Sequence, residues 1–168
     1  MLMLSLLQGV FIFLLVFFSI QIVYRDLRFR KIHNNVLVLY FLSILLHKLA
    51  ANQLVGLPSG IMPGWGASLI GFLGALALFF PVWQWRLMGA ADVKLMAVLG
   101  FALGWRSGGE VVLIGTVLAG MHALLLVMAP SLEQKYGFSL PGTRVKARSV
   151  PLGAWLSVAT VGWIWMQS

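Results

Sequence analysis

The sequence predicts an all-α, polytopic membrane protein with about six transmembrane helices and its N-terminus outside. Of its 168 residues 61% are hydrophobic and only 10% are charged, and the mean hydropathy is +0.97. Since soluble domains carry about a quarter charged residues, this composition excludes an ordinary soluble globule, a disordered chain and a coiled coil. At about 20 residues per span, we expect a single membrane-embedded domain over residues 1–168. The absence of cysteine excludes a disulfide framework and a thiolate metal site.

The apolar segments define the expected helices in chain order. The first is interpreted as a retained helix, because no basic n-region or small-residue cleavage site accompanies it. The fourth is short for a bilayer, so we expect it to be embedded among its neighbours, to begin earlier in the chain, or to be re-entrant. Small residues at four-residue spacing, as around Gly71 and Gly115, predict close helix packing. The segments are Met3–Val23, Val36–Leu54, Gly66–Val82, Val93–Trp105, Val111–Ala129 and Val150–Trp165.

The basic residues predict the orientation. If six segments cross and the N-terminus is outside, ten lysines and arginines face inward and two face outward, as the positive-inside rule favours. The loop Lys135–Arg148 would then face the cytoplasm, and the loops that contain Pro58, Pro63 and Glu110 would face outward. Because the net charge of +8 is explained as a topology signal, no nucleic-acid partner is expected. The inner set is Arg25, Arg28, Arg30, Lys31, Arg86, Lys94, Lys135, Arg144, Lys146 and Arg148, and the outer set is Lys48 and Arg106.

The two aspartates of the chain are the candidate chemical groups. Asp26 ends the first apolar segment and Asp92 opens the fourth, so both fall at the predicted cytoplasmic boundary. Two carboxyl groups that face each other do not both ionise easily, so one can take a proton from water while the other polarises a carbonyl. That chemistry needs no metal or other cofactor. From the residues alone, Asp26 pairing with Arg30 and Asp92 capping a helix are open alternatives, and such solvated charges and caps are more common than a two-aspartate site.

A metal site is not expected. The three histidines, His33, His47 and His122, fall in three separate elements, and no HExxH spacing is present. His122 lies in the middle of the fifth segment, where a hydrogen-bonded packing role is the more common one.

The surroundings of both aspartates resemble a known family. Residues 89–95, Gly-Ala-Ala-Asp-Val-Lys-Leu, resemble the GxGDxKL motif of the prepilin peptidases, which are membrane aspartic proteases of type IV pili and type II secretion systems. Residues 26–34 resemble the family's first motif, an aspartate followed by basic residues and Ile-Pro-Asn, and residues 150–153 resemble the Pro-x-Gly start of its last helix. Ala91 stands in place of the motif's second glycine, and His33 in place of the proline.

The resemblance implies a function and a set of site residues. Asp26 and Asp92 would be catalytic, and Gly89, Ala91, Lys94 and Asn34 would shape the site or bind substrate. The enzyme would cut the basic leader of type IV prepilins or pseudopilins at the cytoplasmic face of the bacterial inner membrane, in association with pilus or secretion machinery. Because the chain has no cysteine pairs, it resembles the short, peptidase-only form of Flp or tight-adherence pili, for which no methyltransferase activity is expected.

Two other functions stay open from the residues. A small proton-coupled permease would use the same carboxylates as a relay, although transport favours acidic groups near the bilayer midplane. A non-catalytic assembly partner of a pilus or secretion system would tolerate replacement of both aspartates. Oligomeric state is left open, because the small-residue spacing serves packing within one chain as well as between chains.

Overall fold

The fold is helical throughout the part of the chain that the computed structural model describes. That part comprises residues 2–29, 32–55, 61–136 and 150–167, and it contains no strand, which confirms the all-α prediction there. Arg30, most of the loop Lys135–Arg148 and the predicted outer loop around Pro58 lie outside the described residues. The helices are α1 (Leu2–Phe29), α2 (Asn34–Val55), α3 (Trp65–Gln84), α4 (Ala90–Tyr136) and α5 (Leu152–Gln167).

Four of these helices are long and apolar enough to cross a membrane. The last helix, α5, has 16 residues and a length of about 24 Å. Several apolar helices of this kind are typical of a multi-pass membrane protein. The count of six spans and the outside N-terminus stay predictions. The candidate spans are Leu2–Phe29, Asn34–Gln53, Trp65–Gln84 and Ala90–Met128.

Helix α4 reverses direction at Gly104. This glycine has φ 79° and ψ 175°, a left-handed conformation that side chains disfavour. A Cβ added at Gly108 would lie 3.0 Å from the Cα of Gly100, whereas residues eight apart in a straight helix are about 12 Å apart. The second arm of α4 (residues 105–136) therefore turns back along the first arm (residues 90–103). The prediction of a loop before Val111 is wrong, because Gly104 alone makes the turn and residues 105–110 are helical.

The first arm of α4 is the central helix of the fold. All residues from 95 to 104 are buried, and α4 contacts α2, α3 and α5. A helix that is apolar on all sides is buried in the interior of a bundle. This confirms that the short fourth segment is embedded among its neighbours, and also that it begins earlier than its apolar run, at Ala90.

Glycines allow the tightest helix contacts. A Cβ on Gly71 of α3 would collide with the carbonyl oxygen of Gly100, and a Cβ on Gly115 would lie 2.9 Å from the Cα of Leu156 in α5. Such contacts require that neither helix carry a side chain at the crossing. The packing predicted for Gly71 and Gly115 is thus confirmed.

Lys48, predicted at the outer boundary, is buried at the end of α2. Only 5% of it is exposed, and its Nζ donates hydrogen bonds to the carbonyl oxygen of Pro63 at 2.7 Å and to Oγ of Ser68 at 2.6 Å. The ammonium group also faces the rings of Trp65 and Phe101, at 5.7 and 5.6 Å from their centroids, which adds cation–π attraction. The charge therefore fixes the start of α3 against α2.

Candidate active site

Asp26 is held between the first and last helices. It lies in the last turn of α1 and only 7% of it is exposed. Its Oδ2 accepts a hydrogen bond of 2.8 Å from the backbone N–H of Ala154, in the first turn of α5, 128 positions along the chain. The N-terminus of a helix carries partial positive charge and free N–H groups, so it favours a carboxylate. Asp26 lies at the C-terminal end of α1, where the partial charge of the helix is negative and disfavours a carboxylate. The N-terminus of α5 compensates for this unfavourable interaction.

Gly153 leaves the space that this contact needs. A Cβ at this position would lie 3.1 Å from Oδ2 of Asp26, 2.6 Å from Cδ1 of Ile32 and 3.4 Å from Cγ2 of Ile22. Ordinary carbon contacts begin near 3.5 Å. The absence of a side chain at Gly153 therefore lets the carboxylate of Asp26 approach the start of α5.

Asp92 lies in the first turn of α4 and accepts a hydrogen bond from the backbone N–H of Gly89. The space beside Gly89 is occupied by this carboxyl group, since a Cβ there would lie 3.0 Å from Oδ2 of Asp92. Asp92 is half-buried, and its carboxyl group interacts electrostatically with that of Asp26. The fold thus brings the two aspartates of the sequence to one end of the bundle, which we call the aspartate end. The capping interpretation of Asp92 also fits, because one carboxyl group can both cap α4 and face Asp26.

The two departures from the family motif have structural accounts. Ala91 is inside the first turn of α4, where the backbone is helical, and among the described residues Arg86 and Gly104 are the ones with positive φ. Alanine therefore loses none of the conformational freedom that glycine would provide there. His33 contributes its Nδ1 at 3.4 Å from a guanidinium nitrogen of Arg25, the neighbour of Asp26 in the chain.

Lys94 and Asn34 are joined at the aspartate end. The Nζ of Lys94 donates a hydrogen bond of 3.0 Å to Oδ1 of Asn34, at the start of α2. Lys94 is two residues after Asp92 in the same helix, so the two side chains point to different sides. This bond fixes the start of α2 against the first turn of α4.

The histidines do not gather into a metal site. Among residues 2–29, 32–55, 61–136 and 150–167, no group of three or more His, Asp or Glu side chains lies close enough to hold a metal ion. His122 accepts a 3.0 Å hydrogen bond from the indole Nε1 of Trp155, which confirms the packing role. His47 stacks on Phe11, with ring centroids 5.8 Å apart.

Comparison with known proteins identifies the family. Residues 5–124 match the type IV leader peptidase family. The chain belongs to this family. The match includes both aspartate motifs, and it identifies the protein as a protease of the prepilin leader type. No curated protein and no solved structure matches the chain.

The leader peptidase has site features that the sequence did not reveal. The donor to Asp26 is a main-chain N–H, which any residue except proline supplies. The resemblance of residues 150–153 to the family's last helix is the signal that pointed to this region, but it gave Gly153 no role. The burial of Lys48 and the contact between His33 and Arg25 had no signal in the spacing of the residues.

Proposed function

We propose that this protein is an aspartic endopeptidase that cuts the basic leader of type IV prepilins or pseudopilins ahead of their hydrophobic segment, at the cytoplasmic face of the bacterial inner membrane. Asp26 and Asp92 are the catalytic pair in this proposal. The observation that carries it is the convergence of these two carboxyl groups, from α1 and α4, at one end of an apolar helical bundle.

The proposed chemistry uses water and two carboxyl groups. The ionised aspartate takes a proton from a water molecule while the oxygen of that water attacks the scissile carbonyl carbon. The protonated aspartate donates its proton to the carbonyl oxygen. When the tetrahedral intermediate collapses, the C–N bond breaks, the leaving amine takes a proton from the pair, and one hydroxyl of the intermediate returns a proton to it. Two neighbouring carboxyl groups suit these steps because they share one proton between them.

Neighbouring residues have positioning roles in this proposal. The α5 N–H group at Ala154 and the space at Gly153 fix the carboxylate of Asp26. The N–H of Gly89 orients Asp92. The bond from Lys94 to Asn34 keeps the starts of α4 and α2 together. A cytoplasmic location of the aspartate end agrees with the basic residues at the end of α1. The assignment to Flp or tight-adherence pili stays a prediction from the absence of cysteine.

The test is co-expression with a candidate prepilin, with leader cleavage followed on a gel. Asp26→Asn and Asp92→Asn keep size and polarity but remove the ionisable group, so each should abolish cleavage while the protein still accumulates in the membrane. Glu110→Gln is the matched control, because its carboxyl group accepts from Trp163 Nε1 in α5, at 3.2 Å, and is not part of the pair. Cleavage at the wild-type rate by either asparagine variant would refute the two-aspartate mechanism and favour a non-catalytic assembly partner.

A further inference from the structure

An apolar groove runs along the exposed side of the α1–α5 pair, and none of the described residues fills it. Its volume is about 860 Å³. Its lining includes three small residues, Ser19, Ser157 and Gly162, which let the backbone of another helix approach closely. The walls include Val23 and Leu27 of α1, and Val158, Val161 and Trp165 of α5.

Both walls of the α1–α5 groove lead to Asp26. In α5, Val158, Val161 and Trp165 follow Ala154 by four, seven and eleven positions, so they share its face of the helix. The N–H of Ala154 is the group that holds Asp26. In α1, Ser19 precedes Asp26 by two helical turns on the same face. The groove therefore runs beside the contact that positions this aspartate, because its lining includes Leu27, the neighbour of Asp26, and Ser157, about one turn after Ala154.

The length of the groove also fits a substrate that is cut at the end of a helix. Its α1 wall extends from Ser19 to Arg28, about 13 Å along the helix, and thus continues two residues beyond Asp26. A guest helix of two to three turns in this groove would end level with the Asp26 carboxylate. The next residues of the guest chain, once extended, would cross the candidate site.

A second groove, between α3 and α4, does not have this continuity. It has a volume of about 650 Å³ and is lined by Gly74 and Leu78 of α3 and by Met96 of α4, among others. Met96 is the lining residue nearest in sequence to Asp92, and it lies one helical turn deeper in the bundle. A helix in the α3–α4 groove would therefore stop short of the carboxyl groups.

We infer that the α1–α5 groove binds the apolar helix of the membrane-anchored substrate and delivers the peptide bond on its leader side to Asp26. This inference rests on the proposed function and adds where the substrate's hydrophobic segment lies. An apolar segment in this position is anchored by packing against small residues, while the basic leader extends out of the membrane past the two aspartates.

Two glycines give a matched test. Gly162 lines the α1–α5 groove and Gly74 lines the α3–α4 groove, and a Cβ at either position meets nothing within 4 Å. Leucine at either position should fold, since it points into open space within a helix. We expect Gly162→Leu to raise the KM for full-length prepilin by about tenfold or more with kcat unchanged, and Gly74→Leu to leave both constants near wild type. An effect of Gly74→Leu alone, of both variants equally, or of neither would overturn the inference.

Cross-linking tests occupancy without catalysis. The chain has no cysteine of its own, so a single cysteine can be placed in the groove by Val161→Cys, in an Asp92→Asn background that retains uncut substrate. A prepilin with one cysteine in its apolar segment should form a disulfide with this variant. It should not form one with Leu125→Cys, an exposed position in α4 that lines neither groove. Equal cross-linking of the two, or none at Val161, would assign the groove to lipid or to no partner.

The two proposals fail in different ways. If the wild type cleaves prepilin but the groove variants behave as the controls do, the endopeptidase function stands and the groove inference falls. If the wild type cleaves no prepilin in the same assay, the proposed function fails and the inference fails with it.

Discussion

A methyl group at Gly153 should slow catalysis while lowering the stability of the fold only modestly. In Gly153→Ala, the new Cβ would lie 2.6 Å from Cδ1 of Ile32 and 3.1 Å from Oδ2 of Asp26. The Ile32 methyl is the far end of a flexible side chain and can move. The carboxylate oxygen must retreat by a few tenths of an ångström, which lengthens its 2.8 Å hydrogen bond from the Ala154 N–H.

The expected size of the effect follows from that hydrogen bond. A hydrogen bond to a charged group contributes about 1.5–3 kcal/mol. If the retreat removes the bond from the transition state, the rate falls roughly ten- to a hundredfold. Stability should fall only modestly, by about 0.5–2 kcal/mol, because the loss of that bond is partly offset by alanine, which is about 1 kcal/mol better than glycine within a helix. Loss of kcat with little change in accumulation in the membrane is therefore the expected result for Gly153→Ala.

The assay is the rate of prepilin cleavage at saturating substrate, measured beside thermal unfolding of the purified protein. Gly120→Ala is the control, because a Cβ at that helical position meets nothing within 4 Å. In a Gly153→Ala, Ile32→Val double variant the nearest atom is removed, so the backbone of α5 can settle and part of the rate should return. A wild-type kcat for Gly153→Ala, or an equal loss of kcat in Gly120→Ala, would refute the proposal that Gly153 and the Ala154 N–H position the carboxylate of Asp26.

Three further outcomes follow from hydrogen bonds and helix packing that do not involve the two aspartates. Lys48→Met leaves the half-buried carbonyl of Pro63 and the buried hydroxyl of Ser68 without their donor. It should therefore cost about 1–3 kcal/mol of unfolding free energy, seen as a lower Tm with kcat unchanged, and an unchanged Tm contradicts this. Gly71→Ala places a methyl against the backbone of α4 and should lower the Tm strongly, whereas Gly74→Ala should not; equal Tm values contradict it. A double-mutant cycle between Lys94→Met and Asn34→Ala should give a coupling of about 0.5–1.5 kcal/mol in unfolding free energy. A coupling of zero would show that the hydrogen bond between Lys94 and Asn34 does not stabilise the fold.

The sequence was sufficient for the helices but not for the reversal in α4. Apolar runs and their polar ends predicted α2, α3 and α5 to within two residues, because burial in lipid requires such runs, whereas α1 continues six residues past its predicted end, to Phe29. The turn at Gly104 has no comparable signal, since it is made by one glycine within a continuous helical sequence. Arg106 and Glu110 suggested a loop because charged residues are usually found there. In the fold they lie on the exposed side of a helix that has already turned back.

The candidate site was predictable in its side chains and not in its main-chain groups. Asp26 and Asp92 stand out because acidic residues are scarce and their motifs are distinctive, whereas the donor to Asp26 is a backbone N–H that carries no residue type. The backbone donor needs space around it, and Gly153 provides this space. The glycine is therefore the trace of this donor that a sequence can show. Residue 153 lies outside the matched range 5–124, yet the Asp26 carboxylate is held from this last helix, 128 positions away. A fragment that ends before α5 would therefore retain both aspartates and lose the group that orients one of them, so its failure to cleave would not count against the pair.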